Sequence, residues 1–271
     1  MFIALDILPQ KSGRLRSFFV RPKAYLEQAF CCGVSFAVLR AEKGKNGVDW
    51  ATVENICGSY CNRVLMPENT ILPKKCKIKK PALPNFEAEV IAKTACKIIA
   101  GTSMPLYKRT IGIVDFDAEY GYLLKKLLAY FSNARVVTNN AGGYEKYAEQ
   151  MMEELGASVT VFDDLAALDG SALVISPAPV KTSRALNFNC PVITGGDFIC
   201  GGKADIISSL RVCPAEELTE KCPPGIDLHI FAGALYEFCG LRDIDLTAKT
   251  MLFNYRRTNI KEAIDAVKPI L

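Results

Sequence analysis

Histidine is almost absent: the 271 residues hold one, His229, inside the apolar stretch 228–238. Ser-His-Asp and Cys-His mechanisms need an imidazole beside the nucleophile, so every such scheme would pass through this residue. Nothing near it in sequence supplies a partner, and His229 is expected to be a packed core residue. Tryptophan is as scarce, and Trp50, opening an apolar-periodic segment, reads as packing. No apolar run approaches the roughly 20 residues of a spanning helix. The longest candidate, 29–39, is broken by Ser35. A signal peptide is not expected either, since MFIALDILPQ places Asp6 where one carries positive charge. The expectation is a cytoplasmic protein without a membrane anchor. With 50% of residues apolar and 23% charged, a disordered chain, a collagen-like repeat and a coiled coil are excluded.

Cysteine, by contrast, is abundant, with eleven residues and no CxxC pair. An odd number, with no signal peptide expected, points to reduced thiols rather than a disulfide framework. Cys31 and Cys32 are adjacent. Cys57 and Cys61, four apart, can share a helical face and hold half a metal site. Burial as small apolar residues is the preferred reading of both. Cys190, Cys200, Cys213 and Cys222 are too irregularly spaced for a zinc ribbon, and no metal site is assigned.

Charge divides the chain. Residues 1–107 hold 16 Lys and Arg against 8 Asp and Glu, and the remainder holds 17 against 21, so the halves carry +8 and −4. Much of the excess is one run, Lys74, Lys75, Lys77, Lys79 and Lys80, between Pro73 and Pro81. In an extended segment Lys75, Lys77 and Lys79 share a face, with Cys76 and Ile78 opposite. That strip can bind an anion, or it can be a lysine-rich edge strand that blocks sheet-to-sheet association. The edge strand is preferred, and nucleic acid is disfavoured because no aromatic residue interleaves the lysines to stack bases.

Periodicity outlines the elements. Phe2–Leu8 and Val34–Leu39 read as strands, and Val48–Val64 and Phe86–Ala100 as helices. From Thr110 strand and helix alternate. Strands are expected at 110–116, 134–138, 158–162, 171–176 and 191–194. Between them, one buried stripe runs through Tyr120, Leu123, Leu124, Leu127, Leu128 and Phe131. Another runs through Tyr144, Tyr147, Ala148, Met151, Met152 and Leu155, with Gly156 as its C-cap. Strands separated by helices imply right-handed crossovers and a parallel sheet. The expected class is α/β: a doubly wound, mostly parallel, Rossmann-like sheet in the C-terminal part, with a smaller α+β N-terminal domain. The boundaries fall at 1–107 for the basic domain and 108–240 for the Rossmann-like domain. Residues 241–271 form a C-terminal segment whose helix packs back on the first domain.

The stretch ARVVTNNAGGYEKYAEQMMEELGASVTVFDDLAALDGSALVIS resembles the corresponding part of shikimate dehydrogenase and glutamyl-tRNA reductase. In those families a strand and polar turn lead to a helix running into ELG, then a short strand, an acidic-Leu segment and a strand ending near Ser. The resemblance covers roughly 110–200 and implies a dinucleotide-type domain and, with it, NAD(P). The residues depart from it at one place. Between first strand and first helix, the G-x-G-x-x-G that lets backbone approach a pyrophosphate is replaced by Asp115-Phe116-Asp117-Ala118-Glu119-Tyr120. Asp117 is a good N-cap, and three carboxylates there suit a helix dipole while repelling a phosphate. The catalytic Lys and Asp motifs of shikimate dehydrogenase find no match in 1–107.

Asp115-Phe116-Asp117 after a strand also resembles the first motif of haloacid dehalogenase-type phosphotransferases. That likeness implies Asp115 as nucleophile, Asp117 as acid/base and Mg²⁺ beside them, with Thr138-Asn139, Lys181, and Gly196-Asp197 with Asp205 as the later motifs. Helix capping is the preferred account of the two aspartates. Gly196–Lys203 (GDFICGGK) is one residue too long for a P-loop, and Ala204 stands where Ser or Thr must ligate Mg²⁺. Asn139–Gly143 reads as a turn that can also present asparagines to a ribose.

An open parallel sheet binds ligands beyond its carboxyl strand ends, at the switch in strand order. Asp115, Asp117, Thr138, Asn139, Ser176, Pro177, Gly195 and Asp197 are expected to line that crevice, with Lys75, Lys77 and Lys79 as the anion strip. The first expectation for function is a degenerate dehydrogenase-like protein binding a small polar ligand or a protein partner without nicotinamide chemistry. An NAD(P)-dependent oxidoreductase with an unusual phosphate loop and an anion binder using the basic half are alternatives. The Mg²⁺-dependent phosphatase is a minor one. Whether the chain is an enzyme, and whether it forms a homo-oligomer, stays open.

Overall fold

The computed structural model describes residues 1–9, 23–44, 47–181, 188–199 and 204–268. The chain opens with β1 (Ile3–Leu8), β2 (Ala24–Cys31), β3 (Val34–Glu42), α1 (Trp50–Cys57) and β4 (Val64–Leu65). Helix α2 (Pro84–Ala100) leads into β5 (Thr110–Val114), α3 (Leu124–Leu127), β6 (Asn133–Val137), α4 (Gly142–Leu155), β7 (Val159–Phe162) and β8 (Leu173–Ser176). Then come β9 (Val180–Lys181), β10 (Val192–Thr194), β11 (Phe198–Ile199) and β12 (Ile206–Val212). The end comprises α5 (Glu216–Lys221), α6 (Leu228–Cys239), β13 (Ala248–Phe253), β14 (Arg256–Asn259) and α7 (Ile260–Val267). None of the described helices is long and apolar enough to cross a membrane.

Two compact units result: Met1–Phe86 with Cys213–Ile244, and Glu87–Val212 with Asp245–Leu271. This corrects the sequence-based division, which assigned 213–240 to the second domain and sent the last helix back to the first. The reason is packing. Phe231 of α6 meets Phe2 and Phe36 edge-on, at centroid distances of 6.0 and 5.2 Å, closing the core of the first unit. In the second unit, β13 and β14 extend the sheet antiparallel from β12, and Ile264 of α7 lies against Gly101, just past the end of α2.

The first unit is a four-stranded sheet in the order β2-β3-β1-β4. Beneath it Val53 and Cys57 of α1 join Leu5, Leu39, Val64 and Ile78 in one core, against which Trp50, Cys61 and Cys76 are packed. Cys57 is thus a core residue of this unit, and Cys61 is half-buried against it. The helix expected over 48–64 stops early, because Gly58 turns to φ +52° and a 3-10 turn at Gly58–Tyr60 follows. The lysine run lies outside any strand, which corrects the edge-strand reading. Lys77 N–H donates to Glu54 Oε1 (3.0 Å) and Lys79 N–H to the Cys61 carbonyl (2.9 Å). The expected alternation survives: Lys75, Lys77 and Lys79 are exposed while Ile78 is buried. His229 packs its ring 5.0 Å from that of Phe86.

The second unit carries an eight-stranded sheet in the order β14-β13-β12-β10-β8-β5-β6-β7. From β7 to β12 all neighbours are parallel. Numbered along the chain, those six strands stand 3-2-1-4-5-6, the doubly wound Rossmann order. Central strands are buried on both faces, so Leu173–Ser176 and Val192–Thr194 read as continuous apolar runs rather than alternating ones. The stripe from Tyr120 to Phe131 is buried as expected, but only Leu124–Leu127 is α-helical, after a 3-10 turn at Gly121–Leu123. Helix α4 ends where predicted: Gly156 takes φ +65° and its N–H reaches the Met152 carbonyl (3.0 Å). Its stripe is only half covered, with Tyr144 and Met151 buried and Met152 and Leu155 exposed.

The loop before β13 is held by Asp245, which accepts from Thr247 N–H (2.9 Å) and Lys249 Nζ (2.8 Å). Burial works against its charged form, but the Lys249 ammonium and the Thr247 donors outweigh it and hold the carboxyl down at about 2, against an ordinary 3.8. A depressed carboxyl adds stability that is complete above its unfolded value and is lost as pH falls through the folded one. Unfolding free energies of the wild type and Asp245→Asn should therefore differ above about pH 4 and converge towards pH 2. The gap should stay below about 1 kcal/mol because the pair is at the surface. Equilibrium denaturation at several pH values measures it.

Candidate functional site

The carboxyl end of β5 is built around one side chain. Asp115 is 2% exposed, its N–H continuing the ladder to the Val137 carbonyl (3.0 Å). Its Oδ1 accepts Glu119 N–H (3.0 Å), and its Oδ2 accepts both Tyr120 N–H (2.7 Å) and the Tyr144 hydroxyl (2.6 Å). The chain folds over this carboxylate through Ala118, a non-glycine residue at φ +58°. Tyr144, in the first turn of α4, is fully buried, and burial together with the Asp115 carboxylate pushes its hydroxyl far above the ordinary tyrosine range. Burial likewise raises Tyr120, with Glu119 and Asp115 adding to it. Both phenols stay protonated donors at neutral pH.

Asp115, not Asp117, is therefore the capping carboxylate, a correction to the expected N-cap. The helix starts further along than expected, at Gly121–Leu124, which leaves the amides of Glu119 and Tyr120, four and five residues after Asp115, in the turn before it. A Cβ on Gly121 would stand 2.4 Å from the Tyr147 ring, so any larger residue there must displace that ring. Asp117 is exposed.

The other strand ends close on themselves in the same manner. Thr138 Oγ1 donates to the Phe116 carbonyl (3.2 Å) and accepts Asn140 N–H (3.1 Å), while Asn139, exposed, sends its N–H to Phe116 (3.0 Å). These bonds join the ends of β5 and β6. At β8, buried Ser176 donates to the Ala178 carbonyl (2.8 Å). At β10, Thr194 donates to that of Gly196 (2.8 Å). Gly195 N–H reaches the Ser176 carbonyl (3.0 Å) beside Pro177, joining these two ends, and exposed Asp197 lends its carbonyl to Val180 N–H (2.8 Å). The switch in strand order falls between the two groups, at β5 and β8. Its rim carries Asp117 and Glu119, so it suits a cationic or hydrogen-bond-donating ligand.

The phosphotransferase likeness does not fit. Asp115 is buried with both oxygens engaged, and Asp205 instead accepts Asn254 Nδ2 at the start of β12. Among the described residues the four aspartates of that scheme do not gather as metal ligands. Cys200 and the end of the P-loop-like stretch, 200–203, lie outside the described residues. Two contributors were missed in sequence, Tyr144 and Thr194. A tyrosine in a buried stripe has a polar tip that needs a partner, and that was the available signal.

No protein-family model matches the chain, and no curated protein matches it. Among solved structures it is similar to Δ1-pyrroline-2-carboxylate reductase of Thermococcus litoralis in complex with NADH and L-proline. The identity is 13%, the match covers 44% of this chain and 37% of that one, and the TM-score is 0.29. The chain thus spans little more than a third of that reductase. It is also similar to D-lactate dehydrogenase with NAD+ from Lactobacillus jensenii (11% identity, 73% and 72% of the two chains, TM-score 0.32). L-tryptophan dehydrogenase from Nostoc punctiforme is a third (12%, 86% and 72%, 0.31). The strand order and the parallel ladders, taken by themselves, make the second unit a Rossmann-like α/β domain.

Proposed function

We propose that this chain is a dinucleotide-fold protein that binds a small polar ligand at the carboxyl ends of β5 and β8, with the pyrophosphate position filled by its own Asp115 carboxylate. One observation carries it: the turn amides of Glu119 and Tyr120, the donors a phosphate would use, are spent on Asp115. A second anion there would meet a buried like charge and would have to displace it from the Glu119 and Tyr120 amides. The one-turn α3 adds little dipole to attract it.

A second reading, an NAD(P)-dependent oxidoreductase with an unusual phosphate loop, is favoured by the 3-2-1-4-5-6 strand order itself. Thermal unfolding with NAD(H) and NADP(H) separates the two. Ligand at a hundred times its Kd adds about 2.7 kcal/mol, a rise of roughly 5–10 °C for a unit of this size. The first reading expects no shift at millimolar dinucleotide; a clear rise would replace it with the second.

A further inference from the structure

The β2–β3 hairpin of the first unit turns through Cys32 and Gly33, both left-handed, at φ +47° and +77°. Two-residue turns of this hand prefer Asn-Gly, and a cysteine at the first position bears a Cβ penalty. The turn brings together two consecutive side chains that a strand would send to opposite faces: Cys31 Sγ and Cys32 Sγ lie 3.9 Å apart. Glu217 of α5, in the same unit, accepts Cys32 N–H at 2.7 Å. Its carboxylate and the two sulfurs lie within 4.8 Å of one another, the one such group of three potential ligands among the described residues.

We propose that Cys31, Cys32 and Glu217 form a binding site for a zinc-class divalent cation. Two thiolates at the usual ~2.3 Å from a tetrahedral ion stand about 3.8 Å apart. The observed sulfur spacing is therefore the coordinated one, needing no rearrangement of the hairpin. Glu217 is exposed, so its side chain can close the remaining gap to about 2.0–2.2 Å while its helix stays in place. Two sulfurs and one oxygen select a thiophilic ion over calcium or magnesium, which take oxygen ligands. On binding, each thiol gives its proton to solvent and the cation takes its place. Lys221, one turn beyond Glu217, stands close enough to Cys31 to offset part of the remaining negative charge. Cys31 is buried and Glu217 exposed, so the ion sits at the rim with its fourth position open to water.

The test uses the full chain, reduced and stripped of metal by a chelator, titrated with Cd²⁺ alone. A sulfur-to-cadmium charge-transfer band should saturate at one equivalent and be displaced by Zn²⁺. Losing even an outer-shell partner of a metal ligand costs about 10–100-fold in affinity, so Cys32→Ser should lose at least about a hundredfold and Glu217→Gln at least about tenfold. Both positions are on the surface side of the hairpin, and the metal-free variants should keep the wild-type circular dichroism and unfolding midpoint. Cys61→Ser and Cys76→Ser should bind as the wild type does. A band that Cys32→Ser leaves unchanged, or a titration without saturation, overturns the site.

Discussion

Asp115→Ala should destabilise the second unit by about 3–5 kcal/mol, more than any other single change at the strand ends. Three hydrogen bonds to a charged acceptor disappear together, and the fully buried Tyr144 hydroxyl is left without an acceptor. Tyr144→Phe removes one donor and leaves Asp115 its two amide donors, and should cost only about 1–2 kcal/mol. Asp115→Asn falls between them, since its amide keeps one accepting oxygen but turns an NH₂ towards donors. Because the two side chains share one bond, the double variant should cost less than the sum of the single ones. Denaturant unfolding gives the energies, and hydrogen exchange at the Glu119 and Tyr120 amides gives the location. If Asp115→Ala unfolds within about 1 kcal/mol of the wild type and those amides stay protected, the carboxylate does not close the turn. The pyrophosphate position would then be open, and the proposed exclusion of dinucleotides would fail with it.

That dependence on one side chain explains how far the site was legible. A carboxylate cluster after the first strand is visible in sequence, and so is its conflict with phosphate. Which carboxylate caps the turn depends on where the helix starts, and an apolar stripe marks a buried face without marking its first helical residue. The stripe from Tyr120 to Phe131 fixed what is buried while leaving open that only one turn is α-helical. Tyr144 fits its stripe through the ring alone, so its hydroxyl went unread.

The end of the sheet was hidden for a different reason. Strand β12 contains Ser208 and a left-handed Ser209, with a register shift against β13, so its alternation is interrupted. The β13–β14 hairpin turns through Asn254 and Tyr255, both at positive φ, where the usual signal would be Asn-Gly. Both features break local rules, and tertiary pairing supplies what the sequence pattern lacks.

Gly195→Ala is the second large effect, and it bears on the crevice itself. A Cβ on Gly195 would lie 2.5 Å from the Pro177 carbonyl oxygen and 3.1 Å from Cδ1 of Ile91. The methyl group can move aside, but the carbonyl is backbone in a turn held by the Ser176 hydroxyl bond to Ala178. The ends of β8 and β10 must therefore separate, straining the Gly195 N–H bond to Ser176 and the last parallel pair, Thr194 with Ser176. Overpacking of this kind costs about 2–3 kcal/mol. Gly142→Ala, at the first position of α4 with nothing within 4 Å of the new methyl, is the matched control and should be neutral or gain up to about 1 kcal/mol. Thermal unfolding of the two variants side by side measures the contrast. Because Gly195 and Pro177 both stand beside the switch in strand order, the same separation should lower affinity for any ligand seated there, whereas Gly142→Ala should leave it intact. Equal midpoints for the two variants would mean that the β8 and β10 loops do not touch, and the crevice would lose one of its walls.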